Sequence, residues 1–150
     1  MHIRKAVRQD IPAIVNLIAS DPLGKLRENT TEPLSMSYFN AFEHIEKDSN
    51  QMLIVMENDK KEIIGTLQLS FIRYLTYQGG LRAQIEGVRI REDSQGKQLG
   101  ERIIQWAIQK ARVRKAHLVQ LTTDKKRPLA ISFYNKMGFI PSHEGMKLHL

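Results

Sequence analysis

The sequence predicts one mixed α/β domain, and three observations carry that reading. Segments of period-two alternation and segments of three-to-four apolar spacing succeed one another along the whole chain. No internal repeat, linker or low-complexity block divides it. Its 150 residues, 41% apolar and 26% charged, match the size and composition of one soluble globular unit with its own core. The expected extent of the domain is residues 1–150.

The elements follow in order. His2 to Val7 alternates Ile3, Lys5 and Val7 against Arg4 and Ala6, a short strand. Asp10 suits an N-cap and Pro12 a first turn, followed by Ile11, Ile14, Val15 and Ile18 at helical spacing. Ser20 to Ser35 carries Pro22, Gly24 and Pro33 and reads as a loop or broken helix. Phe39, Phe42 and Ile45 mark a helix from Ser37 to Lys47. Gln51 to Glu57 is a buried strand closed by a turn at Asn58-Asp59, and Ile63 to Tyr74 is a second strand that turns at Gln78-Gly79-Gly80.

The returning strand carries Leu81, Ala83 and Ile85 on odd positions, then Val88 and Ile90 on even ones. A period-two pattern cannot change parity without an extra residue, and Gly87 sits at the change. A β-bulge is predicted there. Such a bulge splays a strand from its neighbour and frees backbone groups for a ligand. Arg91 to Gly100 is then a polar loop, and Leu99, Ile103, Trp106, Ala107 and Ala111 form the apolar stripe of a helix that ends near Arg114. Leu118 to Leu121 reads as a strand and Leu129 to Met137 as a helix stopped by Gly138. From Phe139 onward two short strands are expected around Glu144-Gly145.

Composition narrows the function. There is no cysteine, which excludes disulfides, thiolate metal sites and a cysteine nucleophile, and fits a reducing compartment. No window approaches the roughly 18 apolar residues of a membrane span, and Met1 to Lys5 lacks a signal peptide's apolar core, so a soluble, cytoplasmic protein without membrane partners is expected. The net charge of 23 − 16 = +7 attracts anions without choosing among them. The histidines at 2, 44, 117, 143 and 149 are scattered and form no ligand spacing, so no metal is expected. RNA binding is disfavoured, because the only tryptophan, Trp106, lies on the apolar stripe and the basic residues Arg102, Lys110, Arg112 and Arg114 read as its solvated flank.

The segment Val88 to Gly100 joins a strand to a helix through glycines. Unpaired N–H groups at a helix N-terminus, with the macrodipole behind them, form a phosphate cradle. A P-loop needs Lys then Ser or Thr after its last spacer glycine, and Gly100 is followed by Glu101-Arg102. The dinucleotide fingerprint has the wrong spacing. On the residues alone, a glycine-bearing connection that binds nothing stays open.

Context closes that alternative. The strand Ile85 to Ile90 (IEGVRI) and the loop Gln95 to Gly100 (QGKQLG), followed by a helix, resemble the acetyl-CoA-binding motif Q/R-x-x-G-x-G/A of the GNAT family of N-acetyltransferases. Ala130 to Phe139 (AISFYNKMGF) resembles the same family's A-x-x-F-Y-x-K-x-G-F signature. Element order extends the resemblance over essentially the whole chain. It implies a mixed, mostly antiparallel sheet with a bulged, splayed CoA-binding strand and helices on both faces. It implies acetyl-CoA as co-substrate, with Val88, Arg89 and Ile90 along the pantetheine arm. Gln95, Gly96, Lys97, Gln98, Leu99 and Gly100 hold the pyrophosphate, and Arg127, Phe133 and Lys136 contribute from the second motif. Two positions depart from the pattern: Gln98 replaces the middle glycine, and Arg127 stands where many members carry asparagine.

The implied reaction is direct transfer of an acetyl group to a primary amine in a ternary complex. An alkylamine is only about one part in 10³ neutral at pH 7, so its deprotonation needs help. The resemblance places Tyr134 near the CoA sulfur as the general acid, against packing and hydrogen bonding to a backbone oxygen. Glu86, beside Gly87, is the candidate base through water, against an ion pair with Arg73 or Arg82 across the strands. A non-catalytic acyl-CoA-binding sensor would share the CoA site and differ at Glu86, Tyr134 and the acceptor pocket. The acceptor region is expected over Asp21 to Pro33 and Pro141 to Met146. Asp21, Glu28, Glu32 and Glu144 there favour a cationic amine, Lys25 and Arg27 an acidic one, and His143 reads as a surface-turn residue. The resemblance also allows a homodimer.

Overall fold

Five strands form one sheet in chain order: β1 (His2–Lys5), β2 (Gln51–Glu57), β3 (Ile63–Arg73), β4 (Leu81–Ile90) and β5 (Leu118–Leu121). The first four are antiparallel neighbours, and β5 runs parallel to β4. The computed structural model describes all 150 residues, Met1–Leu150. Its helices are α1 (Ile11–Ile18), α2 (Pro22–Lys25), α3 (Met36–Lys47), a single turn α4 (Thr76–Gly79) joining β3 to β4, α5 (Leu99–Val113) and α6 (Pro128–Lys136). The fold is the mixed α/β domain that the pattern predicts, with the mostly antiparallel sheet that the resemblance implies.

Strand alternation divides the core between the two faces of the sheet. Ile54 and Met56 of β2, Leu67, Leu69 and Phe71 of β3, and Leu81, Ala83 and Ile85 of β4 pack with Leu99, Ile103, Ile104, Ala107 and Ala111 of α5. Val55 lies on the other face with Ala6, Ile11, Ile14 and Val15 and with Phe42 of α3. Each fully buried aliphatic side chain in these layers is worth about 1.5–3 kcal/mol of transfer free energy, so the sheet is held from both sides. The crossover from β4 to β5 through α5 accounts for the one parallel pair.

Two expectations are corrected. Asp10 makes no side-chain cap on α1. Its carboxylate accepts from Arg4 at 2.6 and 3.0 Å and from the Val7 N–H at 2.8 Å, while Arg4 also donates to Glu57 at 2.6 and 2.8 Å. Burial pushes the Asp10 carboxyl up, but the Arg4 and Val7 hydrogen bonds outweigh it and hold it below its ordinary value. Arg4 of β1 and the Val7 N–H take up the carboxylate that a cap on α1 would need. The second correction is the C-terminus. No strand follows α6; Ile140, Met146, Leu148 and Leu150 are exposed and the segment joins no ladder. Apolar alternation alone does not make a strand when no neighbour supplies hydrogen bonds.

Candidate active site

The site begins where β4 loses one of its neighbours. Pairing with β5 ends at Ile85↔Leu121, whereas pairing with β3 continues to Gly65↔Ile90. Along that second side, Gln68↔Glu86 is followed by Thr66↔Arg89, so β4 advances three residues while β3 advances two. The extra residue falls at Gly87, whose φ of +60° lies in the left-handed region that glycine enters without cost. The bulge inferred from parity is present. It returns Val88 and Ile90 to the α5 core and puts Arg89 on the opposite face, the one that also carries Glu86. Past Ile85 the β5-side edge of β4 is open. Here the Val88 carbonyl accepts from Arg89 Nη1 at 2.7 Å and the Ile90 carbonyl from Gln95 Nε2 at 3.3 Å.

From Ile90 the chain passes through a one-turn 3-10 segment (Glu92–Ser94) into the exposed loop Gln95–Gln98 and then α5. Gly96 has φ +75° and Gln98, the N-cap of α5, φ +58°. No side chain caps the helix. The first-turn N–H groups of this 15-residue helix therefore stand free at its positive end. Lys97 folds back, its ammonium donating to the Asp93 carbonyl at 3.1 Å. Gly100 serves packing: a β-carbon there would stand 3.3 Å from the Phe133 ring, so glycine sets how closely α6 lies on α5. Lys136 joins the same two helices through Glu101 at 2.9 Å.

Tyr134 follows Phe133 on α6. Its ring stands edge-on to Phe133 and Phe139, with centroids 5.2 and 5.8 Å away, and no protein group hydrogen-bonds its hydroxyl. Burial pushes the phenol above its ordinary value; Arg89 and Arg127 pull against that, and Glu86 adds to it. Glu86 is exposed and accepts from Gln84 Nε2 at 2.8 Å. Neither arginine across the strands pairs with it. Arg73 donates to the Gly79 carbonyl at 3.0 Å, and Arg82 lies 4.5 Å from the Tyr74 ring centroid.

Arg127, the N-cap of α6, pairs with Asp21. The same Asp21 oxygen meets Arg89 Nη2 at 3.5 Å, and Asp21 Oδ1 accepts from the Gly24 N–H at 2.6 Å, capping α2. The structure thus brings Glu86, Arg89 and Arg127 close enough to Tyr134 to act on its phenol, and ties the two arginines together through Asp21. It leaves Gln95 to Gly100, Phe133 and Lys136 as a second group at the α5–α6 junction. The Asp21 bridge is not visible in the motif pattern. Only one part of it has a sequence signal: a bulge at Gly87 puts Arg89 on the face of Glu86. His143 is exposed and hydrogen-bonds Ser142 at 2.8 Å. No group of three or more His, Asp or Glu side chains is placed to hold a metal ion, and no helix is long and apolar enough to cross a membrane. A surface groove of about 610 Å³ between Ile3 and the Arg102–Arg112 side of α5 contains none of the cleft residues.

The splayed second half of β4 and the uncapped N-terminus of α5 leave backbone groups free for an extended ligand that carries phosphate. The chain belongs to the Acetyltransferase (GNAT) family, whose model matches residues 15–139. No curated protein matches it. Among solved structures it is similar to a transcriptional regulator from Bacillus halodurans C-125, with 48% identity, 99% of each chain covered and a TM-score of 0.96. Glucosamine-6-phosphate N-acetyltransferase from Arabidopsis thaliana shares the fold at 21% identity, with 99% of this chain and 97% of that one covered and a TM-score of 0.79. So does a predicted acetyltransferase from Clostridium acetobutylicum with acetyl-CoA, at 21% identity, 99% and 95% coverage and a TM-score of 0.77.

Proposed function

We propose that the protein is an acetyl-CoA-dependent N-acetyltransferase acting on a primary amine by direct attack in a ternary complex. One observation carries this: β4 loses its β5 partner after Ile85, beside the Gly87 bulge, which leaves its edge open on the way to the uncapped α5 N-terminus. The residues present fit acetyl-CoA. The free N–H groups at the start of α5 suit its pyrophosphate. Val88 and Ile90 offer backbone partners for an extended amide-bearing arm, once Arg89 and Gln95 release their carbonyls.

When bound, the co-substrate supplies a thioester, whose carbon–sulfur bond breaks as the amine nitrogen bonds to the acetyl carbon. Glu86 takes the amine's proton through water, and its exposure leaves room for that water. Tyr134 gives its proton to the departing thiolate. A raised phenol pKa suits this role, because the group stays protonated through neutral pH and loses its proton only above its ordinary value of about 10. A second reading is favoured by the name of the 48%-identical relative, a transcriptional regulator. In it the same cleft binds acyl-CoA and reports its presence without turnover.

Tyr134→Phe separates the two. It removes one hydroxyl that the protein does not use for hydrogen bonding, so fold and CoA affinity should survive. CoA release in the presence of an amine acceptor should fall about 10²–10⁴-fold in kcat if Tyr134 is the acid. Unchanged kcat on a confirmed acceptor removes Tyr134 from the chemistry. Tight CoA binding without acetylation of any amine favours the sensor.

A further inference from the structure

We propose that the acceptor amine carries an anionic group, a carboxylate or a phosphate, and that Arg89 and Arg127 bind it. The word acceptor rests on the transferase reading above; the anion site itself does not.

Arg89 and Arg127 both converge on Oδ2 of Asp21, whose other oxygen is already taken by the Gly24 N–H. One carboxylate oxygen cannot satisfy two forked guanidinium groups, each built for a bidentate anion. The shortfall falls on Arg89. Its contact with Asp21 is long at 3.5 Å, its Nη1 turns back to the Val88 carbonyl, and its Nε is buried with no partner at all. Burial acts against the Arg89 charge more strongly than Asp21 supports it. A buried guanidinium N–H without an acceptor is costly, so this arrangement is poised for a better anion than Asp21.

The crowding of cations points the same way. Arg27 lies in the same cluster, 3.5 Å from Asp124, and its charge, like that of Arg127, acts against the charge of Arg89. The side chains of Arg89, Arg127 and Asp21 are 20%, 23% and 25% exposed, which desolvates them yet admits a small ligand. Placement then separates this site from the cradle at 95–98. Val88 and Ile90 turn toward α5, and Arg89 turns to the opposite face, where Asp21 begins α2. A pyrophosphate at the α5 N-terminus therefore leaves the arginine pair free for the other substrate. An anion there would displace Asp21 and fix the far end of the acceptor, so its amine is held near Glu86 and Tyr134.

The test uses matched acceptors on the full chain: ethanolamine phosphate against ethanolamine, and β-alanine against its amide. With acetyl-CoA, at least one acidic member should exceed its neutral partner about tenfold or more in kcat/KM, since a site built for a group rejects the analogue that lacks it. Arg127→Gln should abolish that preference, chiefly through the acceptor's KM. Arg127→Lys, which keeps charge without the fork, should restore only part of it. Asp21→Asn, which removes the competing carboxylate, should strengthen the acidic acceptor. Thermal shifts in the presence of CoA give a readout independent of turnover. If an acidic amine raises Tm in the wild type and not in Arg127→Gln, yet nothing is acetylated, the anion site stands and the transferase reading falls. Equal treatment of acidic and neutral partners in both assays overturns the proposal. So does a preference that Arg127→Gln leaves intact, or a loss confined to acetyl-CoA binding.

Discussion

Leu81–Ile85 and Gly87–Ile90 are two halves of one strand with opposite duties. The first half is hydrogen-bonded on both sides, to β3 and to β5, and sends Leu81, Ala83 and Ile85 into the core. The second keeps β3 alone, and its side chains straddle the core and the cleft: Val88 and Ile90 on one face, Arg89 on the other. A single inserted residue makes the difference. Because a bulge changes parity without ending the strand, the second half stays anchored by its core side chains while its other edge is released. Stability and site are thereby separated along one chain segment by one glycine.

The comparison is broken most severely in the doubly paired half. Ile85 is 1% exposed and sits among fully buried neighbours. Ile85→Ala should cost about 2–5 kcal/mol, read as a lower urea midpoint at constant m. Val88→Ala removes a half-buried side chain from the same core and should cost about 1 kcal/mol. Equal losses at the two positions would show that the second half carries as much of the fold as the first.

That division was largely legible in the sequence, for a physical reason. Burial imposes parity on a strand, so the switch from Ile85 to Val88 betrays the bulge without any structure. The α5 stripe and the Gly138 stop, with its φ of +90°, are legible in the same way, because each is a local consequence of backbone geometry. What stayed hidden depends on distant partners. Asp10 looks like a helix cap until Arg4 and Glu57 arrive from β1 and β2. Met146, Leu148 and Leu150 alternate like a strand, and only the sheet's composition reveals that nothing pairs with them. The Asp21 bridge joins residues 21, 89 and 127, a juxtaposition that no spacing rule contains.

The junction between the two halves is the next place to press. Gly87 has no atom within 4 Å of where a β-carbon would lie, so substitution there meets strain and not a clash. Gly87→Ala should cost about 1–2 kcal/mol through its left-handed φ, and Gly87→Asn less, because asparagine tolerates that region. If the alanine variant instead relaxes by expelling the bulge, Val88 and Ile90 leave the core and CoA binding is lost together with stability. Isothermal titration with CoA on the two variants distinguishes strain alone, which spares affinity, from a shifted register, which does not.

The smallest expected effect lies at Gln98, where the loop meets α5. This residue holds φ +58° and ψ 14° at the helix N-cap without making a capping hydrogen bond. A left-handed conformation costs an ordinary L-residue about 1–2 kcal/mol, whereas glycine enters it freely and is itself an acceptable N-cap. Against that, glycine enlarges the unfolded ensemble by about 0.4–1 kcal/mol. The balance predicts that Gln98→Gly stabilises the protein by about 0.5–1 kcal/mol, a rise in Tm of about 2 °C. Its exposed side chain lines the cradle without holding it together, so CoA affinity should be preserved or improved as the backbone gains closer approach to phosphate. A destabilised Gln98→Gly protein would mean that the side chain supports the loop in a way its conformation does not reveal. A stabilised one that binds CoA more weakly would make Gln98 a ligand contact in its own right, and the departure from the glycine pattern a gain for binding at the expense of backbone ease.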